Sequence, residues 1–258
     1  MNYKPYSIAS PPYEICSGGI RVMYALRSWL EIKGQIALMN TQYDVPFVGI
    51  YPEIYHGNDL KADTVVRYIL NTPGVMAGYG IPGPTTQQYK NEIEYQNNQF
   101  YIFSKIYDTF GVDDDHLLFI PVINTHIFKN YKKSRKKTCY LVGKGNNLQK
   151  HPTDSIELTR QFANNQSALS DLLNECEYLY GYDPLSAMYD IARLCGCKVK
   201  YYGGKTKEEL KDYEPGLEGI DFNGDKDFFD IGIFRSNYLN LRKLMSQKID
   251  RFIEDTQS

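Results

Sequence analysis

The sequence predicts an α/β protein with two lobes, each built on a parallel sheet. Short, near-continuous apolar runs of strand length alternate with segments whose apolar residues have helical spacing. This alternation restarts at Thr138, after a polar stretch, and each half has a glycine turn between a strand and a helix. We therefore expect two Rossmann-like lobes that face a cleft, with a final helix that crosses back to the first lobe.

In the first half, residues 1–12 are polar and contain proline, which predicts a tail or a wrapping segment. A short strand from Tyr13 should lead into Ser17-Gly18-Gly19 and a helix that ends near Gly34. The apolar runs that follow predict strands at 36–39 and 47–51, a helix at about 60–70, and strands at 100–103 and 117–120. Glu53 and His56 follow the second of these strands, where ligand clefts of parallel sheets lie.

In the second half, a strand at 139–142 precedes the turn Gly143-Lys144-Gly145. Helices are expected near 155–162 and at 167–176, then a strand at 178–180, a helix that begins at 183–186, a strand at 199–202 and a short helix at 207–213. Asp183 is the expected N-cap, with Pro184 and Ser186 in the first turn. An amphipathic segment, 228–252, ends the chain. The expected divisions are 1–131, 132–226 and 227–258.

Composition excludes several classes of protein. The chain has 258 residues, 42% hydrophobic and 23% charged, with a net charge of −2, so it has no general attraction for nucleic acid. No apolar run reaches the length of a membrane span, and no leader pattern opens the chain, which predicts a cytoplasmic protein. The 23 tyrosines suit a cleft that stacks sugars or bases, although compositional drift explains them equally well.

The cysteines and histidines do not predict a metal site. The five cysteines lack paired C-x-x-C spacing, and the four histidines are scattered. We expect buried, reduced thiols and no metal ion or cofactor.

Two turns have the chemistry of phosphate binding. A helix that begins near Asp183 presents free N–H groups and the positive end of its dipole. Lys144, between two glycines, combines a cation with a slim backbone. The basic cluster at 129–137 is either a solvated linker or a contact with an anionic membrane surface.

Four segments together resemble a bacterial family of sugar transferases with the two-domain GT-B fold, often associated with polysaccharide synthesis. The resemblance spans roughly residues 13–220. It rests on these motifs, in order: Ser17-Gly18-Gly19-Ile20-Arg21, Tyr51-Pro52-Glu53-Ile54 followed by Gly57-Asn58, Leu141-Val142-Gly143-Lys144-Gly145, and Tyr182-Asp183-Pro184-Leu185-Ser186 followed by Leu194-Cys195-Gly196-Cys197.

The resemblance implies a compact GT-B-like glycosyltransferase that is metal-independent and uses a nucleotide-diphosphate sugar. The implied acceptor is a saccharide, a lipid-linked glycan or another hydroxyl. The expected donor-binding residues are Gly18, Gly19, Lys144, Tyr182, Asp183 and Ser186. Glu53, with His56 as its competitor, is the expected base.

One position departs from the family pattern. Many related transferases have a glutamate five residues before the glycine of the donor-site helix, where this chain has Ile191. Asp190 points about 100° away around the helix and does not replace it. A non-catalytic protein that binds a sugar nucleotide or a partner is therefore an alternative. An S-adenosylmethionine-dependent methyltransferase that uses Gly18-Gly19, and a structural protein with an empty cleft, are the other two.

Overall fold

A computed structural model describes residues 3–222 and 231–258 of the chain. The chain divides into two compact units. The first consists of Met1–Val122 and Leu241–Ser258, and the second of Ile123–Asn240.

The first unit contains a five-stranded parallel sheet in the order β2-β1-β3-β4-β5. Its strands are β1 (Tyr6–Ile8), β2 (Ala37–Met39), β3 (Val48–Pro52), β4 (Thr64–Ile69) and β5 (Gln99–Ile102). Helix α1 (Gly18–Ile32) buries Val22, Met23, Leu26 and Leu30 in the core that the sheet forms. A shorter helix, α2 (Thr86–Asn91), follows β4.

A tail or a wrapping segment was expected at residues 1–12, but the middle of this stretch is a strand, β1 (Tyr6–Ile8), inside the sheet. All three residues of β1 are buried between β2 and β3, and the Tyr6 hydroxyl hydrogen-bonds to Thr256 at 2.8 Å. No strand begins at Tyr13 in the described chain; a turn there leads to α1, which Ser17 caps by accepting from the Ile20 N–H at 3.4 Å. Tertiary burial, rather than local composition, makes this segment a strand.

The helix expected at 60–70 is also wrong, since β4 occupies Thr64–Ile69. Val65, Val66 and Ile69 fit helical spacing, but the segment is also rich in β-branched residues and is buried on both faces, as an inner parallel strand must be. The expected strand at 117–120 is reduced to an isolated bridge between Leu117 and Ile102.

The second unit contains another five-stranded parallel sheet, in the order β10-β9-β8-β6-β7. Its strands are β6 (Lys137–Leu141), β7 (Ile156–Glu157), β8 (Cys176–Gly181), β9 (Lys198–Tyr201) and β10 (Ile220–Phe222), and its helices are α3 (Arg160–Asn164), α4 (Gln166–Glu175) and α5 (Ala187–Leu194). The helix expected at 155–162 is thus a short strand followed by α3, and that at 207–213 is one 3₁₀ turn at Glu208–Leu210.

The last helix, α6 (Ile231–Gln257), runs from the second unit into the first. Met245, Ile249 and Phe252 on α6 belong to the core of the first unit, with Tyr6 and Leu30. The predicted fold class is confirmed in these features: two parallel α/β units and a C-terminal helix that returns to the first. The final segment was expected to begin at residue 227, and its first residues, 227–230, lie outside the described part of the chain.

Among the described residues, no helix is both long enough and apolar enough to cross a membrane. Cys139, Cys176, Cys195 and Cys197 are buried thiols, as expected, whereas Cys16 is partly exposed. Burial raises the pKa of Cys195 to about 12. That thiol is therefore protonated, and unreactive, at neutral pH.

Candidate functional site

Two loops meet at the carboxyl edge of the second sheet. The Gly143-Lys144-Gly145 turn follows β6, and residues 182–186 follow β8, its parallel neighbour. The Asp183 carboxylate joins the two loops, because Oδ2 accepts the Lys144 N–H at 2.8 Å and Oδ1 accepts the Leu185 N–H at 2.9 Å. Asp183 is only 5% exposed, so both hydrogen bonds are shielded from water.

The glycines of the turn allow this close approach. A Cβ added to Gly145 would lie 1.8 Å from the Tyr182 carbonyl oxygen, and one added to Gly143 would lie 2.1 Å from Asp183 Oδ2. Gly143 also has a φ of +55°, in the left-handed region. The sequence pattern glycine-lysine-glycine is therefore explained here by backbone packing.

Ser186, and not Asp183, is the N-cap of α5. The Ser186 side chain accepts the Met188 N–H at 3.2 Å, whereas Asp183 accepts from Leu185, ahead of the helix. The expectation that Asp183 caps this helix is wrong. The residue is occupied in holding the loop, and serine satisfies the first turn equally well.

Tyr182 holds a histidine that sequence reasoning missed. The buried Tyr182 hydroxyl accepts the Lys150 N–H at 2.8 Å and hydrogen-bonds to His151 Nδ1 at 2.7 Å. The His151 ring stacks on Tyr140, with ring centroids 3.8 Å apart and planes 7° apart. Burial raises the pKa of Tyr182. No spacing in the sequence connects His151 with Tyr182; only the fold brings them together.

Lys144 is exposed at the surface of this edge, above the buried Asp183. The first turn of α5 lies in the segment that Asp183 anchors. An exposed cation, slim glycine backbone and a helix N-terminus form an arrangement that can bind an anionic phosphate. Four of the expected donor-binding residues, Lys144, Tyr182, Asp183 and Ser186, thus share one edge of the second unit.

The position of the missing glutamate is apolar and buried. Ile191 is 6% exposed, and the neighbouring Asp190 is paired with Arg193 at 2.7 Å and accepts the Tyr213 hydroxyl at 2.9 Å. Burial raises the pKa of Asp190, against the opposing effect of Arg193. Arg193 also donates to the Gly216 carbonyl at 2.7 Å, so this pair holds a neighbouring loop and is not placed to contact a ligand.

The remaining expected residues lie in the first unit. Glu53 follows β3, is 5% exposed, and accepts the Leu70 N–H at 3.0 Å. Gly19, in the first turn of α1, lies beside Leu70, since an added Cβ would be 3.5 Å from Leu70 Cδ1. Gly18, next to it, has nothing within 4 Å of an added Cβ. Glu53 and these glycines therefore belong to one edge of the first sheet.

His56 is exposed in the loop that follows Glu53. The buried Arg67 holds this loop, because its guanidinium donates to the carbonyls on either side of His56, those of Tyr55 and Gly57. Burial lowers the pKa of Arg67. The structure thus exposes the competitor, His56, and buries the first candidate base, Glu53.

The basic cluster at 129–137 is largely occupied by contacts within the second unit. Lys133 donates to Asp171 at 2.8 Å and Lys137 donates to Glu175 at 2.7 Å, both on α4, and Lys133 also forms an ion pair with Glu175 at 3.7 Å. Arg135 donates to the carbonyls of Leu173 and Cys176 at the end of α4, and to that of Cys195 at the end of α5. A cation at a helix C-terminus stabilises the last carbonyls, so this cluster has a structural explanation.

Within residues 3–222 and 231–258, no three His, Cys, Asp or Glu side chains are grouped so that they could hold a metal ion. An apolar cavity beside the α5 start is lined by side chains that include Leu185, Tyr189, Tyr201 and Tyr213.

Comparison with known proteins found no matching family model and no matching curated protein. Several solved structures are similar at low identity, among them the following three. An uncharacterised protein from Klebsiella pneumoniae is 13% identical with a TM-score of 0.44, over 82% of this chain and 88% of the other. An alpha-glucosyltransferase solved with UDP and a mismatched 13-mer DNA is 9% identical, TM-score 0.44, over 98% and 94%. The glycotransferase of kitacinnamycin is 9% identical, TM-score 0.41, over 98% and 95%.

Proposed function

We propose that this chain is a glycosyltransferase that moves a sugar from a nucleotide-diphosphate donor to a hydroxyl acceptor. The single observation that supports it most is the pair of loops joined by Asp183, which sets an exposed Lys144 and the start of α5 at one sheet edge. Tyr51-Pro52-Glu53-Ile54, the Gly143-Lys144-Gly145 turn and residues 182–186 end or follow the strands β3, β6 and β8, at the carboxyl ends where parallel sheets bind ligands. The last part of the fourth motif, 194–197, instead ends α5 and precedes β9.

In this proposal, Lys144 and the α5 N-terminus stabilise the negative charge that develops on the nucleoside diphosphate as it leaves. Asp183 acts through the backbone, because both of its oxygens are engaged with N–H groups. The reaction needs no metal ion or cofactor in this proposal. If the configuration inverts, a base must take the acceptor proton, and the exposed His56 suits this role better than Glu53, which is buried and bonded to Leu70.

A non-catalytic sugar-nucleotide-binding protein is the second candidate. Two observations favour it: position 191, a glutamate in many related transferases, is isoleucine here, and Glu53 is buried. Neither position presents a carboxylate at the surface. Such a protein would bind the donor without releasing free nucleoside diphosphate.

A thermal-shift panel of sugar nucleotides, with S-adenosylmethionine as a separate arm, tests the proposal. A ligand at 100 times its dissociation constant should add ~2.7 kcal/mol to the free energy of unfolding. A shift with S-adenosylmethionine alone would support the methyltransferase instead. No shift with any sugar nucleotide would refute both donor-binding candidates, and release of nucleoside diphosphate on adding acceptors separates the enzyme from the binder.

Lys150 provides a matched control for the site. Lys150→Ala removes the same charge from the same region, but its backbone N–H, which bonds to Tyr182, is retained. If Lys144→Ala loses donor binding and Lys150→Ala keeps it, the donor is bound by the Gly143-Lys144-Gly145 turn.

We also propose that the protein acts in the cytoplasm, in polysaccharide synthesis, on a saccharide or lipid-linked acceptor. Electrostatic contact with the inner face of a membrane through residues 129–137 has less support, since Lys133, Arg135 and Lys137 are already paired. The other exposed lysines of the cluster are Lys129, which lies 5.2 Å from the centre of the Tyr131 ring, Lys132 and Lys136.

A further inference from the structure

A closed loop with an apolar tip, here called the 74–83 loop, projects from the first unit. Its base is closed, because an added Cβ at Gly74 would lie 3.2 Å from Thr85 Cγ2, and Pro73 and Pro84 are buried. Between these anchors is one 3₁₀ helix, Val75–Tyr79, which begins after Gly74 (φ +84°) and ends before Gly80 (φ +78°). Left-handed glycines at both ends set the turn without strain.

The tip of the loop exposes apolar side chains. Val75, Tyr79 and Ile81 are 45%, 46% and 42% exposed. Residues 68–89 contain no charged side chain and no histidine, in a chain whose residues are 23% charged. Charged residues normally interrupt exposed apolar segments in a soluble protein, so an uncharged tip with three exposed apolar side chains indicates a contact surface.

Three backbone N–H groups of the tip are bonded to carbonyls within the loop. The Ala77 N–H donates to Gly74 at 3.2 Å, that of Gly80 to Ala77 at 3.1 Å, and that of Ile81 to Met76 at 3.1 Å. A segment can enter an apolar medium at low cost only if its backbone polar groups are paired. The tip meets this requirement at these positions. A polar surface loop does not have to meet it, because water can bond to its backbone.

We infer that the 74–83 loop inserts into the interfacial region of a lipid bilayer. A tip of three or four apolar side chains is small beside the roughly 800 Å² per partner of a stable protein interface, but is sufficient for shallow insertion. Tyr79 places a ring with a polar end at the tip, and tyrosine is enriched at membrane interfaces. This contact is apolar and uses the first unit, unlike electrostatic contact through residues 129–137.

The loop is attached beside Glu53. A Cβ added to Gly83 would lie 2.8 Å from Ile54 Cα and 3.0 Å from the Glu53 carbonyl oxygen. Contact with a bilayer would thus bring the lipid surface to the edge of the sheet that carries Glu53. This position suits a lipid-linked acceptor. The link to an acceptor rests on the proposed function, whereas the insertion of the loop does not.

Vesicle co-sedimentation of the full chain tests the inference. We expect binding to phosphatidylcholine vesicles that contain no anionic lipid, unchanged by high salt. The double variant Val75→Ser, Ile81→Ser should lower the lipid affinity by about tenfold or more, because less apolar surface leaves water. Ile93→Ser is the matched control: Ile93 is 81% exposed but lies outside the loop, and its loss should change nothing.

Each other outcome would overturn the inference. Binding that needs phosphatidylglycerol and disappears in high salt would assign the contact to basic residues. Self-association without vesicle binding, abolished by the double variant, would make the loop a protein contact. If the double variant melts at the parental temperature and binds vesicles as well as the parent does, the loop does not contact the membrane. Because no donor is used, these results are independent of transfer activity.

Discussion

Asp183→Asn should destabilise the protein markedly, although asparagine is nearly the same shape. The carboxylate accepts one N–H with each oxygen, from Lys144 at 2.8 Å and from Leu185 at 2.9 Å, at a side chain that is 5% exposed. Asparagine can keep one of these bonds, but its NH₂ group must then face the other N–H. A lost bond to a charged acceptor and a buried unpaired donor together cost about 2–3 kcal/mol. If Asp183 were an N-cap, the same change would cost almost nothing.

Urea unfolding measures this difference as a shift of the midpoint. With a slope of about 2 kcal/mol per molar, the midpoint should fall by about 1 M. Asp154→Asn is the matched control, because Asp154 is exposed in the same unit and the change in net charge is identical. Coincident midpoints for the two variants would refute the conclusion that this carboxylate joins the loops. Donor affinity, measured by calorimetry on the folded variant, should fall with the loss of the turn.

Three further variants test neighbouring features. Lys144→Ala should weaken donor binding by roughly 1.5–3 kcal/mol in calorimetry, and unchanged affinity would remove the lysine from the site. Gly145→Ala should destabilise by about 1–3 kcal/mol in urea, because the new Cβ meets the Tyr182 carbonyl, whereas Gly18→Ala should not destabilise; equal midpoints would contradict the packing. The hydrogen bond from Lys137 lowers the pKa of Glu175. The ionised carboxylate therefore stabilises the fold above the ordinary pKa of glutamate, and this stabilisation is lost as the pH falls through the lowered pKa. Lys137→Gln should raise the pKa of Glu175 toward its ordinary value, as measured by an NMR titration.

The success of sequence reasoning followed the strength of local patterns. Strands β3, β5, β6, β8 and β9 each contain apolar or aromatic residues beside a turn, and all were expected. Strand β4 was mistaken for a helix because Val65, Val66 and Ile69 fit both periods, and burial on two faces decided the outcome. Strand β1 has only three residues, and its identity depends on partners far along the chain, such as Ala37 and Val48. No local pattern contains that information.

At the candidate site, the sequence singled out two segments that the fold brings into contact, but it could not predict which side chain makes which hydrogen bond. The residue types at 143–145 and 182–186 predicted that these loops matter, and the fold brings them together. Which residue caps α5, and which holds the turn, depends on the choice of hydrogen-bond partner, and both aspartate and serine can serve in either role. His151 was missed for a similar reason, since its partners Tyr140 and Tyr182 are distant in sequence.

Three buried charged side chains, one within a strand and two just after strands, share one role, which bears on where any chemistry occurs. Glu53 accepts the Leu70 N–H, Arg67 holds the carbonyls beside His56, and Asp183 holds the turn of Lys144. In each case backbone groups bond to the charge, and Asn98 Oδ1 also accepts from Arg67 at 2.7 Å; these bonds make the burial tolerable and fix a loop. The groups that these loops present to solvent, Lys144 in one unit and His56 in the other, are then the ones able to meet a ligand. A charged residue in a motif can therefore be essential to a site without touching its substrate, and Asp183 and Glu53 are best tested as positioning residues.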